Sequence, residues 1–247
     1  MMNSIKAQCK AEILRTLRNR RFIIFSMLMP IIFYFIFTST VGDNMQVQGI
    51  EWKAYYLMSM TAFGIIGTNL ITMGVRFAQE RAQGWTRLLR IAPLRSSVYL
   101  LSKMISQSIL NLGTIVIMFT VGGLAKGIEL TPAQWLLCGL WLWIGALPFM
   151  VLGTLIGTLK SAEVVQVIAN ILYMGLAVLG GLWMPITIMP SFIQQLAKFL
   201  PSYRYAQGAW NILSGHAVSW AGFAILAAYI LLFMLLSTYI LRRQEAI

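Results

Sequence analysis

Few side chains in this sequence could do chemistry. Its 247 residues include 7 acids, 1 histidine and 2 cysteines. No Gly-x-x-x-x-Gly-Lys-[Ser/Thr] stretch is present to cradle phosphates, so any ATP-driven work needs hydrolysis by another chain. No His-Glu-x-x-His, paired-cysteine motif or Ser/His/Asp arrangement occurs, which leaves no expected metal site and no expected catalytic residue. His216 falls at the edge of an apolar run, where it reads as an interfacial residue. Cys9, in a basic segment, and Cys138, in an apolar run, read as small packing residues and not as a disulfide framework.

The apolar runs do contain amides and hydroxyls: Asn69, Gln107, Asn111, Gln166 and Asn170, with Thr61, Thr68, Thr72, Ser106 and Ser108. They could line a path for an amphipathic substrate. They could equally bond helix to helix, a contact worth about 0.6 kcal/mol each inside a membrane. The acids behave differently. Glu12, Asp43, Glu51, Glu80, Glu129, Glu163 and Glu245 all fall in expected loops, termini or span ends. Proton- and sodium-coupled carriers usually keep carboxylates within the membrane despite a cost of about 2.5–3.5 kcal/mol at midspan. Their absence there disfavours an ion-coupled secondary carrier, while a uniporter or channel stays open.

The elements that must position these groups follow from hydropathy. With 59% hydrophobic and 11% charged residues and a mean hydropathy of +0.76, the natural solvent of this surface is lipid. A helix needs about 20 apolar residues to cross the hydrocarbon core. Runs of that kind predict an all-α, polytopic membrane protein with six spans, at 22–41, 54–75, 98–124, 133–159, 164–183 and 217–241. Residues 1–21 form a cytoplasmic segment before a single permease domain over 22–247. Pro30 and Pro148 lie inside spans and should kink them. The first run is too long, and too far from the start, to read as a signal peptide despite Thr38-Ser39-Thr40.

The net charge of +12 raises the question of nucleic acid, but the basic residues cluster between apolar runs without interleaved aromatics. They instead sort across a bilayer. With the N-terminus inside, Lys53, Lys126, Lys198 and Arg204 lie outside, and the rest of the 19 basic residues lie inside. Six spans then put both termini in the cytoplasm. Before the first span, Ile5, Cys9, Ile13, Leu14 and Leu17 share one face and Lys6, Lys10, Arg15 and Arg18 the remainder, which predicts an amphipathic helix along the inner membrane surface.

Between the second and third spans runs a connection from Arg76 to Arg95, longer than two neighbouring helices need. Phe77, Arg81, Trp85, Leu88 and Leu89 can share a stripe, Glu80 and Arg81 can pair, and Pro93 ends any helix. These features predict a short amphipathic helix beneath the membrane. The residues Glu80, Arg81, Gly84, Leu88, Leu89 and Pro93 resemble the Glu-Arg-x-x-Gly-Thr-Leu-x-x-Leu-x-x-x-Pro connection of type-2 ABC transporter permeases, with Trp85-Thr86 in place of Thr-Leu. In that family the helix docks on the nucleotide-binding subunit. The resemblance therefore implies a coupling surface at Glu80, Arg81, Gly84, Arg87 and Leu88.

A second stretch extends the likeness. Gly180 to Pro190, then Phe192 to Gly208, resembles the family's outer-leaflet segment, where short re-entrant helices precede the last span. Pro185, Pro190 and Pro201 cannot share one spanning helix, and Trp183, Tyr203, Tyr205 and Trp210 suit an interfacial belt. Gly153-x-x-x-Gly157 permits close helix approach, within the subunit or across a dimer. The resemblance implies the membrane subunit of an ATP-driven exporter in a bacterial inner membrane. It would work with a separate ATPase carrying ATP and Mg and with a second permease, identical or homologous. The expected cargo is a hydrophobic or amphipathic compound such as a drug, antibiotic or toxin, or else a lipid-linked glycan.

Overall fold

The computed structural model describes residues 9–14, 18, 20–41, 45–84, 96–159 and 161–245. It is mostly helical. After a helical segment at 9–14, helix α1 runs Arg20–Thr40, with Pro30 inside it and not ending it. A two-residue hairpin, Gln46–Val47 with Ile50–Glu51, turns through positive φ at Gln48 and Gly49. Helix α2 spans Trp52–Gly67, and the backbone continues through a π-helical stretch, Thr68–Met73, into α3, Gly74–Ala82. Helix α4 is Ser96–Thr120, prolonged by a second π stretch, Val121–Ala125. Then come α5, Pro132–Ile144, α6, Leu147–Ile156, and α7, Ala162–Leu179. A 3-10 turn at Ile186–Ile188, α8, Ser191–Ala197, and α9, Pro201–Leu213, lead to α10, Trp220–Glu245.

Among the described residues, five helices are long and apolar enough to cross a membrane: Trp52–Ala82, Val98–Ala125, Pro132–Ile156, Ala162–Leu179 and Trp220–Ile240. The first expected span falls in α1, Arg20–Thr40. Two departures from the sequence reading have clear causes. The second span does not stop at 75. No breaker intervenes before Gly84, so one helical rod runs on to Ala82. The interruption near Pro148 is a two-residue turn in the apolar run Pro132–Ile156, with α5 closing at Gly145 and Pro148 occupying the first turn of α6, where its missing N–H costs nothing.

Local chemistry sets the starts. Thr131 caps α5 in a capping box with Gln134, with Pro132 in the first turn, and Ser161 caps α7 by accepting from Val164 N–H at 3.3 Å. Each proline of the irregular segment opens a helix: Pro185 and Pro190 precede the 3-10 turn and α8, and Pro201 begins α9.

Helix α2 is buried along nearly its whole circumference, as an all-round apolar helix must be, with α1, α4, α7 and α9 packed on it. This core corrects the aromatic belt. Tyr205 and Trp210 are buried, because α9 lies between α2 and α5. Trp210 stacks on Tyr55 at 4.5 Å between centroids and donates to Ser59 Oγ at 3.2 Å. Trp141 Nε1 donates to the Tyr205 carbonyl at 2.6 Å, and the Tyr205 hydroxyl donates to the Leu142 carbonyl beside the turn in the fourth span. Tyr205→Phe leaves that carbonyl without its phenol donor, and we expect a loss of about 1–2 kcal/mol, read as an earlier thermal transition in detergent.

The Gly153-x-x-x-Gly157 pair packs within the subunit. A Cβ on Gly153 would run into the backbone carbonyl of Asn69, and one on Gly157 would lie 2.9 Å from the Gly74 carbonyl oxygen. Without side chains at these two points, α6 reaches the backbone of the π stretch and α3.

Candidate functional site

The last turn of α3 carries the residues that sequence singled out, and it sends them in different directions. Glu80 points inward and is 2% exposed. Lys103, from the second turn of α4, donates to Glu80 Oε1 at 2.8 Å, and Tyr99, one turn earlier on the same face, donates its hydroxyl to Glu80 Oε2. Lys103 Nζ also lies 3.4 Å from Glu12 Oε1, which brings the N-terminal helical segment to the same point.

Arg81 reaches sideways. Its Nη1 donates to the carbonyls of Gly157, at 3.3 Å, and Thr158. These carbonyls lie just past the end of α6, where the helix dipole favours a cation. The rod then ends within one turn. Gln83 N–H bonds the Gln79 carbonyl at 2.9 Å, Gly84 N–H bonds the Arg81 carbonyl at 3.0 Å, and Gly84 takes φ +77°. That left-handed turn is what Gly supplies at a helix end. A Cβ at Gly84 would meet nothing within 4 Å among the described residues, so the glycine there serves backbone conformation. Arg87 and Leu88, with the rest of 85–95, lie outside the described residues.

The amide candidates divide. Asn69, on the π stretch, and Gln107 and Asn111, on α4, are buried on two elements that touch, with Gln107 Nε2 donating to Asn111 Oδ1 at 3.4 Å. The Asn69 side-chain atoms and Asn111 Nδ2 have no partner among the described residues. Gln166 is half-buried and Asn170 exposed on α7, apart from the others. None of the five lines the apolar groove of about 720 Å³ between α4 and α5, which is walled by Ile115, Phe119, Trp135 and Trp143 and floored by Gly139.

Sequence reasoning missed Lys103, Tyr99 and Glu12 as members of this site. Two signals were present: Glu12 is the one acid before Asp43 in an otherwise basic stretch, and Tyr99 and Lys103 stand one helical turn apart beside the motif.

The sequence profile of the ABC-2 type transporter family matches residues 3–214. The chain belongs to the ABC-2 type transporter family. It is 45% identical over 246 residues to a protein of Bacillus subtilis (strain 168) named as a transport permease, YvfS, with all of both chains covered. As an ABC-2 permease it is a transport subunit and not itself an enzyme, and its several apolar helices make it a multi-pass membrane protein. Permeases of this family work with an ATPase subunit. In ABC-2 terms, the turn that ends at Gly84 opens the connection whose residues carried the resemblance.

Proposed function

We propose that this chain is the membrane half of an ATP-driven exporter, with six spans, both termini cytoplasmic, and the connection after Ala82 docked on a separate nucleotide-binding subunit that carries ATP and Mg. The observation that carries the reading is the length of the second span. Its 31 residues rise about 46 Å, against about 30 Å of hydrocarbon, so its last turns project from the membrane core. The Arg-rich connection that follows then stands on the side that holds most of the basic residues. Glu80 and Arg81 are engaged within the subunit, so the docking contacts proposed for this motif fall to Gly84, Arg87 and Leu88, with Glu80 and Arg81 bracing the stem. The cargo we favour is a hydrophobic or amphipathic compound, a drug, antibiotic or toxin, ahead of a lipid-linked glycan.

A second permease subunit completes the proposal. The face of α7 that carries Val167, Ile171 and Asn170 is exposed. An amide turned toward hydrocarbon is costly, and another chain over that face would satisfy it. The short helices from 186 to 213 we assign to the outer leaflet.

The test is co-purification of the tagged chain with an ATPase, followed by ATP-dependent movement of a lipophilic dye in reconstituted vesicles. Transport that proceeds without any ATPase and collapses with an ion gradient would replace this reading with a secondary carrier. Gly84→Val sharpens the experiment. A β-branched residue at φ +77° costs about 1–2 kcal/mol of local backbone strain, while its Cβ meets no other described residue within 4 Å, so insertion is expected to be preserved while the loop is re-aimed. We expect ATP hydrolysis to continue and dye movement to fall at least roughly tenfold; equal loss of both would show a folding defect instead.

A further inference from the structure

The charged groups under α3 come from three separated stretches of chain. Glu12 belongs to the N-terminal helical segment, Glu80 to the end of α3 and Lys103 to α4. Lys103 Nζ stands between the two carboxylates, 3.4 Å from Glu12 Oε1 and 2.7 Å from Glu80 Oε2, with side-chain exposures of 6% for the lysine and 10% and 2% for the two acids. The Tyr99 ring lies beneath the ammonium at 5.0 Å. Arg76, Ser106 and Gln107 line the small cavity, of about 20 Å³, that Glu12 and Lys103 also border.

An exposed ion pair at this place would hold little, because water and salt screen it. Here the charges are desolvated, so separating them strands an unpaired charge in an apolar setting. The arrangement is also asymmetric. Glu12 and Glu80 repel one another, and neither can hold the other in place. The ammonium between them is the cation that the N-terminal segment and the loop stem share.

We propose that Lys103 is a positioning residue that fastens the N-terminal segment and the stem of the coupling connection to α4, so that both cytoplasmic elements move with that helix as one piece. Its transport consequence rests on the docking reading given above; the fastening does not. Three substitutions rank the outcome. Lys103→Met removes the cation shared by both segments and loosens each. Glu12→Gln releases the N-terminal segment alone, because the Lys103–Glu80 pair survives. Lys103→Arg retains the charge and holds both.

Hydrogen exchange of the full chain in lipid nanodiscs, without an ATPase, tests this order. In Glu12→Gln the amides of 9–14 should exchange about tenfold faster while those of 76–84 keep their rate, and in Lys103→Met both sets should accelerate. Lys103→Arg should match the parent protein. Unchanged exchange at 9–14 in Glu12→Gln overturns the fastening, and that variant removes one charge of the cluster without stranding the remaining pair, so it carries the test even where Lys103→Met does not fold. If exchange follows the order while Gly84→Val transports normally with its ATPase, the fastening stands and the docking reading alone falls.

Discussion

Gly153→Leu is expected to remove the folded subunit, not to slow one step of transport. A Cβ at 153 would overlap the carbonyl of Asn69, and that carbonyl belongs to a helix backbone that cannot swing aside as a side-chain tip can. The neighbouring contacts are equally tight, with the Gly74 Cβ position 3.2 Å from the Gly153 carbonyl oxygen and 3.0 Å from Ile156 Cγ1. Admitting an isobutyl group means moving α6 off the π stretch and α3 along its length. Overpacking of this kind costs about 3 kcal/mol or more, a large share of the stability of any domain. The readout is the yield of monodisperse protein in mild detergent and its thermal transition. Gly113→Ala is the control, because a Cβ there meets nothing within 4 Å and alanine favours the helix by about 1 kcal/mol. A Gly153→Leu protein that melts with the parent would show that α6 and the second span do not approach as described.

The second large effect is expected at Glu80, where alanine and glutamine should differ. Glu80→Ala removes the nearer carboxylate from Lys103 and the acceptor from Tyr99 in a buried setting. Breaking such a pair from one side costs about 3–5 kcal/mol. Glu12, at 3.4 Å, compensates in part and places the expectation at about 3 kcal/mol. Glu80→Gln keeps an acceptor of the same shape and leaves one ammonium facing one carboxylate, so its cost should fall to about 1–2 kcal/mol. Because the groups are shielded, the difference between the variants should survive in 1 M salt, where the Debye length is about 3 Å. Equal thermal transitions for Glu80→Ala and the parent protein would place Glu80 at the surface, as a docking contact alone.

Most of the helices were legible because their signal is redundant. A run of some twenty apolar residues has one economical conformation in lipid, and the apolar helices Val98–Ala125 and Trp220–Ile240 lie within a few residues of the runs read at 98–124 and 217–241. Boundaries failed where continuation depends on packing. The helix past Met73 persists because Gly74, Phe77 and Glu80 are buried against neighbours, and polar composition made that stretch look like the start of a separate amphipathic helix. The π stretch at Thr68–Met73 has no residue-type signature. Tyr205 and Trp210 were misplaced for a related reason. An amphipathic ring suits an interface or a buried site with a bonding partner equally well, and the choice depends on the carbonyl of Leu142 and the hydroxyl of Ser59, both far away in sequence. Of the candidate site, the motif was visible as a local pattern. Lys103 and Glu12 were not, because a sequence shows a cation and an anion without showing that they meet.

The enclosure of α2 has a consequence for where cargo can travel. Protein lies against Trp52–Gly67 on nearly every side, and among the described residues no lumen runs along this helix. A lone copy is thus a wall and not a conduit. On the proposed two-permease reading, the cargo's path is a seam along the flank of each copy, with the solid centre as its stiff backing.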